Sequence, residues 1–582
     1  MEVGIRDFSS FWMVLFCTLI FHGTVPVHSR DRSLTADLHS QNSHDLPRII
    51  HAEGIGGAQA LQKSIQACYG ATSCVVDARN PSIGIQNFSV NPFASPHELN
   101  IPMTIYTGAY TVQWDVNDDQ AVTVDLPSDL KWILKGTTIK PSSSNIAIPA
   151  SAFLKDSAGR NANDGGSGQG MLNARVHGLN GTISAGSRNL TVSDAKNLRV
   201  GMAIAIVGGA GAVAGQETIL DGAITPTSTQ LTVTRATGFP QAGSSNSTLA
   251  DYNYVVVDGE IICWSGIHGN TLRNLMRGQF GTAATDHSDK ARVSALGTLV
   301  TEITDINNST VTLLDKSLLT LTNTQVQAGA YNVSIRGTGT ISGNYMDRSV
   351  TPAGSVAVGG VLCYVCSSMT IGENILFTNL QHTGVFITGG RHNVISGHYH
   401  RIGRPSASGS GLGADIFLLG NACRNIIRSS AHQDGNYMVL VDDRSSDFNR
   451  LSGASSENDV RVGRQEGAEK YTSGVGIEGY SSRNQVTVGR ISVTGTASNA
   501  GLYVDATRQW PSATPVPTAN HFTYKAISSM GAAIRTANYF SGDSSNIFDG
   551  GVILKGSSSL ASQSDRIIQR KSIQTKSGRR AR

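Results

Sequence analysis

Five short stretches in the C-terminal half of the chain can be laid over one another in register. Their first residues are all apolar: Val385, Ile416, Met438, Val475 and Leu502. Their third residues are also all apolar: Ile387, Leu418, Leu440, Ile477 and Val504. Alternation with a period of two places the first and third side chains on one face of a strand. The pattern therefore predicts short strands, stacked so that these two columns form a buried core.

An asparagine recurs after the turns that follow these stretches. The asparagines are Asn393, Asn425, Asn449, Asn484 and Asn520. Two residues after them stand Ile395, Ile427, Leu451, Val486 and Phe522. Asn suits such a position because it tolerates the left-handed conformation and its amide can bond the backbone of a neighbouring coil. Irregular repeats of roughly 22 to 35 residues, made of short strands and turns, predict an all-β solenoid, a parallel β-helix. A β-sandwich is the alternative, but it needs no recurring Asn.

The N-terminus has the features of an export signal. Phe11–Ile20 is an apolar run, and Val27–Ser29 supplies small residues for cleavage, so residues 1–29 are predicted to be a signal peptide of a secreted protein. The run is too short for a membrane span. In an exported protein, Cys68 and Cys74 are expected to close a small loop. Cys363 and Cys366 have a spacing found in zinc sites, but no second pair completes one, so we interpret them as strand residues and predict no metal site.

The charge of the chain is concentrated at its C-terminal end. The formal net charge is +4, and residues 566–582 contain seven basic residues and no acidic one. We predict that this segment is a disordered basic tail. Because the rest of the chain has little net charge, no nucleic-acid-binding surface is expected.

The chain before the repeats shows a helix and then further strands. Leu61, Ile65 and Cys68 fall on one helical face, which predicts an amphipathic capping helix. Residues 30–171 are therefore interpreted as the cap and the first coils. Residues 172–325 lose the coil rhythm and are predicted to be an inserted β-rich module, with a nested insertion at about 216–297. Residues 326–565 are predicted to be the main β-helix.

This order of a capping helix and coils resembles the pectate-lyase-like proteins of the pectin lyase superfamily, which are right-handed parallel β-helices. Gly337–Asn344 is similar to a stretch of polygalacturonases. The resemblance covers residues 50–165 and 326–560, and it implies a right-handed β-helix. Polygalacturonases carry Asn-Thr-Asp, Asp-Asp, Gly-His-Gly and Arg-Ile-Lys on successive coils. Here Asp442-Asp443 is the one match, and Gly397-His398-Tyr399 precedes it in the wrong order, so no catalytic residue is transferred.

The outward-facing positions of the stacked strands bring ionisable residues together. Glu478, Asp505 and Arg535 are predicted to lie on neighbouring coils, about 4.8 Å apart per step. Two carboxyl groups at roughly 5 Å match the pair of a retaining glycosidase, and their mutual repulsion would make one of them a general acid. The alternative is an ion-pair ladder in which Arg535 neutralises both acids.

Aromatic residues on the same outward face suggest contacts with sugar rings. Phe386, Phe417 and Tyr503 are candidates for an apolar platform for pyranose faces, unless loops of the chain cover them. Asp415 and Tyr437 are predicted to contact a further sugar unit along the groove.

These features predict a secreted protein that binds a polysaccharide and cleaves it, by hydrolysis or by β-elimination. A hydrolase would need no cofactor, whereas a lyase would use a base such as Arg535 and a Ca²⁺ site of carboxylates. The competing class is a non-enzymatic surface or adhesion protein with a glycan-binding β-helix. The sequence leaves the oligomeric state open.

Overall fold

The computed structural model confirms a right-handed parallel β-helix. It describes residues 46–93, 101–114, 124–142, 148–149, 168–174, 177–236, 253–343, 355–403, 413–435, 437–442, 455–467, 473–479, 481–493, 500–505, 518–537, 545–560 and 565–569. The predicted signal peptide and the end of the basic tail lie outside these ranges, as do Asn449 and Leu451.

Strands account for most of the described chain. The first coils contain β1 Arg48–His51, β2 Cys74–Ala78, β3 Gln86–Phe88, β4 Met103–Thr107, β5 Thr111–Trp114, β6 Val124–Leu126, β7 Leu130–Pro141, β8 Ile148–Pro149 and β9 Gly168–Ala174. A second group contains β10 His177–Ile183, β11 Asn189–Val192, β12 Ala203–Ile219, β13 Gln230–Thr232, β14 Asn253–Val257, β15 Glu260–Trp264, β16 Gly266–His268, β17 Thr271–Arg273, β18 Arg292–Asn307, β19 Thr310–Leu313 and β20 Leu321–Ala328. The later coils contain β21 Ser334–Ser342, β22 Ser355–Tyr364, β23 Thr370–Thr378, β24 Val385–Thr388, β25 Val394–His400, β26 Ile416–Leu419, β27 Ile426–Gln433, β28 Tyr437–Asp442, β29 Asp459–Gly467, β30 Ser473–Glu478, β31 Gln485–Val493, β32 Ala500–Asp505, β33 His521–Ala537, β34 Ile547–Ser559 and β35 Arg566–Gln569. The helices are α1 Ala60–Gln66 and the 3₁₀ turns Ala52–Gly54, Pro81–Ile83 and Gln279–Gly281.

Each later coil contributes one strand to each of two parallel stacks. The first stack runs through β22, β24, β26, β28, β30 and β32, and the second through β21, β23, β25, β27, β29, β31 and β33. The helix continues across the second group of strands, because β7 pairs in parallel with β21 although some 200 residues separate them. Parallel strands joined by crossovers within one sheet take the right-handed path.

The two inward columns exist, with one error of register. Val385 pairs with Ile416 and Ile387 with Leu418, as predicted. In the next coil, however, Val439 and Val441 occupy these columns, and Leu440 pairs with Phe417 on the outside. Met438 and Leu440 were therefore assigned wrongly. The stretch Met438–Val441 is apolar throughout, so its own pattern cannot distinguish a register from the same register shifted by one residue.

Four of the five predicted asparagines, Asn393, Asn425, Asn484 and Asn520, belong to a continuous buried ladder. In each step the backbone N–H and the Nδ2 of one asparagine donate to the Oδ1 of the next, at 2.9–3.1 Å for the step from Asn425 to Asn458. The members are Asn393, Asn425, Asn458, Asn484, Asn520 and Asn546, and Asp565 accepts at the end. Asn458 takes the place that was assigned to Asn449, and Val460 that of Leu451. Both segments show Asn followed two residues later by an apolar residue, so the motif alone could not separate them.

The amide bonds of the ladder follow the prediction, but the left-handed conformation belongs to other residues. The residue before each ladder asparagine has φ between 49° and 61°: His392, Arg424, Glu457, Arg483, Ala519 and Ser545. The asparagine itself is the residue immediately before the strand. Its amide side chain, rather than its backbone tolerance, explains why Asn recurs.

The predicted N-terminal helix is present and packs on the core. Leu61, Ile65 and Cys68 are fully buried in the main apolar cluster. Cys68 is bonded to Cys74 at the start of β2, which closes the expected small loop.

Two further details differ from the sequence prediction. Cys363 and Cys366 are joined by a disulfide rather than being plain strand residues. Arg566–Gln569, the first part of the predicted basic tail, forms β35, which adds one strand beside β34, and residues 570–582 lie outside the described ranges. Ile567 of β35 pairs with Phe548 and packs against the core, which gives this segment a reason to be ordered.

Residues 177–328 form a separate antiparallel structure with its own apolar clusters. A buried acid organises one corner: Glu260 accepts two hydrogen bonds of 2.7 Å from Arg277 and one of 2.8 Å from His287. Burial alone would raise the pKa of Glu260, but these bonds and those from the amides of Gly278 and Thr285 outweigh it and lower the pKa to about 2. We call residues 177–328 the antiparallel module.

The antiparallel module rests on the outside of the first stack. The Ala203 N–H donates to Ser367 Oγ at 2.8 Å, and His392 Nε2 lies 3.2 Å from Glu302 Oε2. Arg391 donates to the Val300 carbonyl. These contacts fix the module against the turns between β22 and β25.

Candidate functional site

Three carboxylates follow one another in a single outward column. Strand pairing places Leu419 beside Asp442, and Glu478 beside Asp505. Because Val441 pairs with Ile477, the next residues, Asp442 and Glu478, are also neighbours. We call Asp442, Glu478 and Asp505 the acidic column. Each is buried to at least nine-tenths of its surface, with exposures of 1%, 7% and 7%.

Asp442 is the member of the column that the sequence prediction missed. The register error in β28 had placed Val441 there. When β28 is shifted by one residue, so that Val439 and Val441 face inward, Asp442, Glu478 and Asp505 fall in one column. In the sequence, Asp442 stands out only as the first residue of the Asp442-Asp443 pair that matches the polygalacturonase Asp-Asp motif.

Tyr503 closes over the acidic column from the neighbouring outward column. Its hydroxyl donates to Glu478 Oε1 at 2.7 Å. The ring lies over Gly476, where a Cβ atom would overlap the ring atoms, so only glycine leaves this space. Burial and the negative charge of Glu478 raise the pKa of Tyr503 well above its ordinary value, so its hydroxyl stays protonated and remains a donor. Tyr503 therefore stabilises the charged form of Glu478 and is not an open sugar platform.

Arg535 reaches the acidic column from a different register than expected. It pairs with Tyr503, and Ala537 is the residue that pairs with Asp505. Its guanidinium nevertheless lies 3.6 Å from Asp505 Oδ2. The Arg535 side chain is 43% exposed, whereas that of Asp505 is 11% exposed. Arg535 thus marks the side of the column that faces solvent.

The predicted aromatic platform is covered. Phe386 is only 8% exposed and packs in one apolar cluster with Ala203, Ala205 and Val300 of the antiparallel module. Phe417 lies beside it, with ring centroids 5.3 Å apart, and is partly buried in the same cluster. The alternative that other parts of the chain cover these rings is therefore correct, although a folded module rather than a loop does so.

Asp415 is buried inside the coil and does not line a groove. Its Oδ2 lies 2.7 Å from Nδ1 of His432, whose Nε2 lies 2.6 Å from Ser429 Oγ. The order Ser, His, Asp is that of a hydrolytic triad, but all three side chains are at most 4% exposed. The His432 ring is stacked on Tyr399 at 5.0 Å within the core. This network satisfies buried polar groups, so the prediction of Asp415 as a sugar ligand is wrong.

Tyr437 lies close to the acidic column. Its ring centroid is 6.2 Å from that of Tyr503, and it packs beside Leu440 and Ala414. It remains half-buried. Of the five predicted sugar-binding residues, Tyr437 and Tyr503 are the two that the fold brings to the acids.

The described ranges contain neither a candidate metal cluster nor a helix that could span a membrane. No group of three or more His, Cys, Asp or Glu side chains there is arranged to hold a metal ion. No helix in the same ranges is long and apolar enough to cross a membrane.

No family model and no curated protein matches this chain. Among solved structures, it is similar to the tailspike protein gp49 from Pseudomonas phage LKA1, with 12% identity, a TM-score of 0.29, and coverage of 86% of this chain and 71% of that one. It is also similar to the Gp54 tailspike of Acinetobacter baumannii bacteriophage AP22, solved with A. baumannii capsular saccharide, with 10% identity, a TM-score of 0.24, and coverage of 80% and 71%. The catalytic domain of a GH87 alpha-1,3-glucanase, solved with nigerose, matches with 11% identity, a TM-score of 0.19, and coverage of 67% and 91%. Likeness at this level carries no argument about function, and the fold assignment rests on the strand pairing.

Proposed function

We propose that this chain is an exported protein that binds a polysaccharide and hydrolyses its glycosidic bonds at the acidic column. One observation carries the proposal: Asp442, Glu478 and Asp505 stand in register on consecutive coils, with the Tyr503 hydroxyl donating to the central one. Stacked carboxylates repel one another, so such a column costs stability and calls for a chemical reason.

The spacing fits a retaining mechanism. Neighbouring strands are about 4.8 Å apart, and retaining glycosidases hold their two carboxyl groups about 5–5.5 Å apart. Glu478 is central and its charged form accepts the Tyr503 hydrogen bond, so it acts as the nucleophile at the anomeric carbon. The general acid that protonates the departing glycosidic oxygen is one of its two neighbours, Asp442 or Asp505. The same residue then deprotonates the water that releases the sugar.

Substrate reaches the site from the side of Arg535. This side chain is 43% exposed, and its five N–H donors suit sugar hydroxyls or a carboxylate of the substrate. Binding of substrate to Arg535 replaces its 3.6 Å ion pair with Asp505 and brings the Asp505 carboxylate into contact with the bound polysaccharide.

The test is product analysis on a panel of neutral and acidic polysaccharides. Hydrolysis releases new reducing ends without an unsaturated product, whereas β-elimination gives the absorbance of a double bond. Glu478→Gln should lower the rate by about 10²–10⁴-fold or more. The matched control is Glu466→Gln, an exposed acid on β29 whose side chain is paired with Arg464, and its rate should not change.

Three results would contradict the proposal. Unsaturated products would replace hydrolysis by a lyase reaction. Equal rates for Glu478→Gln and the parent would remove the acidic column from the chemistry. Binding of a polysaccharide with no cleavage anywhere in the panel would favour the adhesion alternative.

A further inference from the structure

A depression of about 490 Å³ opens on the surface of the antiparallel module. Its walls come from four places in the sequence: β10, the start of β14, the 3₁₀ turn Gln279–Gly281 and the strand β20. None of its lining residues belongs to the acidic column. Ligand pockets for small molecules occupy about 300–1,000 Å³, so this space fits one or two sugar rings.

Two aromatic rings form one wall of the depression. The centroids of Tyr254 and Phe280 lie 4.9 Å apart, with their planes inclined by 41°. Tyr254 is largely buried, at 7% exposure, and Phe280 is half-buried. The Phe280 ring is therefore supported by Tyr254, and both rings line the opening. Apolar faces of sugar rings pack on such surfaces.

The backbone that positions Phe280 is strained. Phe280 has φ 53°, in the left-handed region, where a bulky side chain is a clear outlier. Gly281 follows with φ 83°, and a Cβ atom there would lie 2.8 Å from the Thr322 side chain. The turn is thus pressed against β20 in an unfavourable backbone conformation. Such strain persists where the surrounding structure fixes a side chain. Here the fixed side chain is Phe280, whose ring forms part of the wall of the depression.

The remaining lining is rich in side-chain amides. Asn180, Gln279, Asn323 and Gln325 surround the opening, and Gln325 Nε2 donates to the Tyr254 hydroxyl at 3.4 Å. An amide offers both donors and acceptors, as a sugar hydroxyl does. Among the described residues that line the depression, none carries a charge. An anionic or cationic ligand would therefore find no partner, whereas an uncharged polyol with an apolar face would.

From these observations we propose that the depression is a second carbohydrate-binding site, specific for uncharged sugar units and separate from the acidic column. It holds a saccharide by ring packing on Phe280 and Tyr254 and by hydrogen bonds to the amides. The proposal does not depend on the hydrolytic function, because it concerns binding alone.

The test uses the full chain with Glu478→Gln, so that no added saccharide is consumed. Calorimetric titration and saturation-transfer NMR are run with cellopentaose, maltopentaose, laminaripentaose and mannopentaose as neutral probes, and with oligogalacturonate as a charged one. Phe280→Gly removes the ring while keeping a residue that accepts positive φ, so the module should remain folded, as its thermal transition will show. For at least one neutral probe, the affinity should fall by tenfold or more in this variant.

Matched amide variants locate the contact. Asn180→Ala, in the depression, should weaken the same probe severalfold. Asn189→Ala, an exposed position on β11 outside the depression, should leave the affinity unchanged. The proposal is overturned if no neutral probe binds, if Phe280→Gly binds as tightly as its parent, or if only oligogalacturonate responds to the variants. If the unmodified chain hydrolyses no polysaccharide while these affinities are as expected, the result counts against the acidic column and not against this binding site.

Discussion

Removal of one step of the asparagine ladder should destabilise the β-helix by about 3–5 kcal/mol. Asn458 is fully enclosed, at 1% exposure, and its side chain makes four hydrogen bonds. Its Nδ2 donates to the Ala422 carbonyl at 2.9 Å and to Asn484 Oδ1 at 3.0 Å. Its Oδ1 accepts from the N–H and the Nδ2 of Asn425, at 2.9 and 3.1 Å.

The magnitude follows from the groups that lose a partner. In Asn458→Ala, the N–H and one amide hydrogen of Asn425 lose their acceptor, and the Ala422 carbonyl loses a donor. Each buried polar group left without its partner costs about 1–3 kcal/mol, which gives about 3–9 kcal/mol in total. Water entering the space vacated by the amide recovers part of this cost, so a value near the low end of the range, about 3–5 kcal/mol, is expected.

Urea unfolding of the full chain, followed by far-ultraviolet circular dichroism, measures the effect. Hydrogen exchange of the peptide that contains β27 gives a local measure, because the Asn425 amide should exchange faster by the corresponding factor. Asn189→Ala is the control: this exposed side chain has a long contact of 3.5 Å with Thr312, and its loss should cost at most about 0.5 kcal/mol. If Asn458→Ala costs no more than this control, or if the Asn425 amide stays equally protected, the ladder does not stabilise the coils as argued.

Three further outcomes are expected. The folded-state pKa of Glu260 is lowered to about 2 from 4.5, so its stabilising contribution is complete above pH 4.5 and is lost as the pH falls towards 2. The thermal midpoint should therefore fall over this interval, and Glu260→Gln should abolish that part of the pH dependence. An unchanged pH profile in the variant would contradict this. Replacing Cys68 and Cys74 by serine should lower the free energy of unfolding in urea by about 2 kcal/mol, since the bond closes only a short loop, and an unchanged free energy would contradict this. Gly476→Ala places a Cβ atom where the Tyr503 ring lies, so it should break the hydrogen bond from Tyr503 to Glu478 and reduce the rate of hydrolysis about tenfold or more. Tyr503→Phe should have the same effect. Normal activity in both variants would exclude this hydrogen bond from the mechanism.

The stacking of the coils was predictable because it follows from local patterns that repeat. Alternation in Val475–Glu478 and Leu502–Asp505 fixes which side chains are inside, and the asparagine motif marks where each second strand begins. The prediction failed where a pattern was ambiguous. A uniformly apolar stretch such as Met438–Val441 shows no face, and only pairing with both neighbouring strands decides its register.

The surroundings of the outward face were not predictable in the same way. No local pattern states where the antiparallel module will pack, so Phe386 looked like a platform for a ligand. Asp415 looked like a groove residue for a similar reason: only the folded coil brings it to His432 on the following strand. Contacts between segments distant in sequence determine whether an outward residue is covered or exposed. Alternation within each segment determines which residues face inward.

The composition of the outward columns agrees with where the antiparallel module packs. Along the last column, Thr388 and Leu419 are followed by Asp442, Glu478 and Asp505. Leu419 packs in one apolar cluster with Ala203 and Val300 of the module, and this burial gains roughly 25 cal/mol for each Å² of apolar surface removed from water. The three acids are also buried, at 1–7% exposure, so the fold itself carries the cost of desolvating them, and hydrogen bonds such as that from Tyr503 to Glu478 offset part of it. The step from Leu419 to Asp442 therefore separates the part of the column held by apolar packing against the module from the part held by polar contacts.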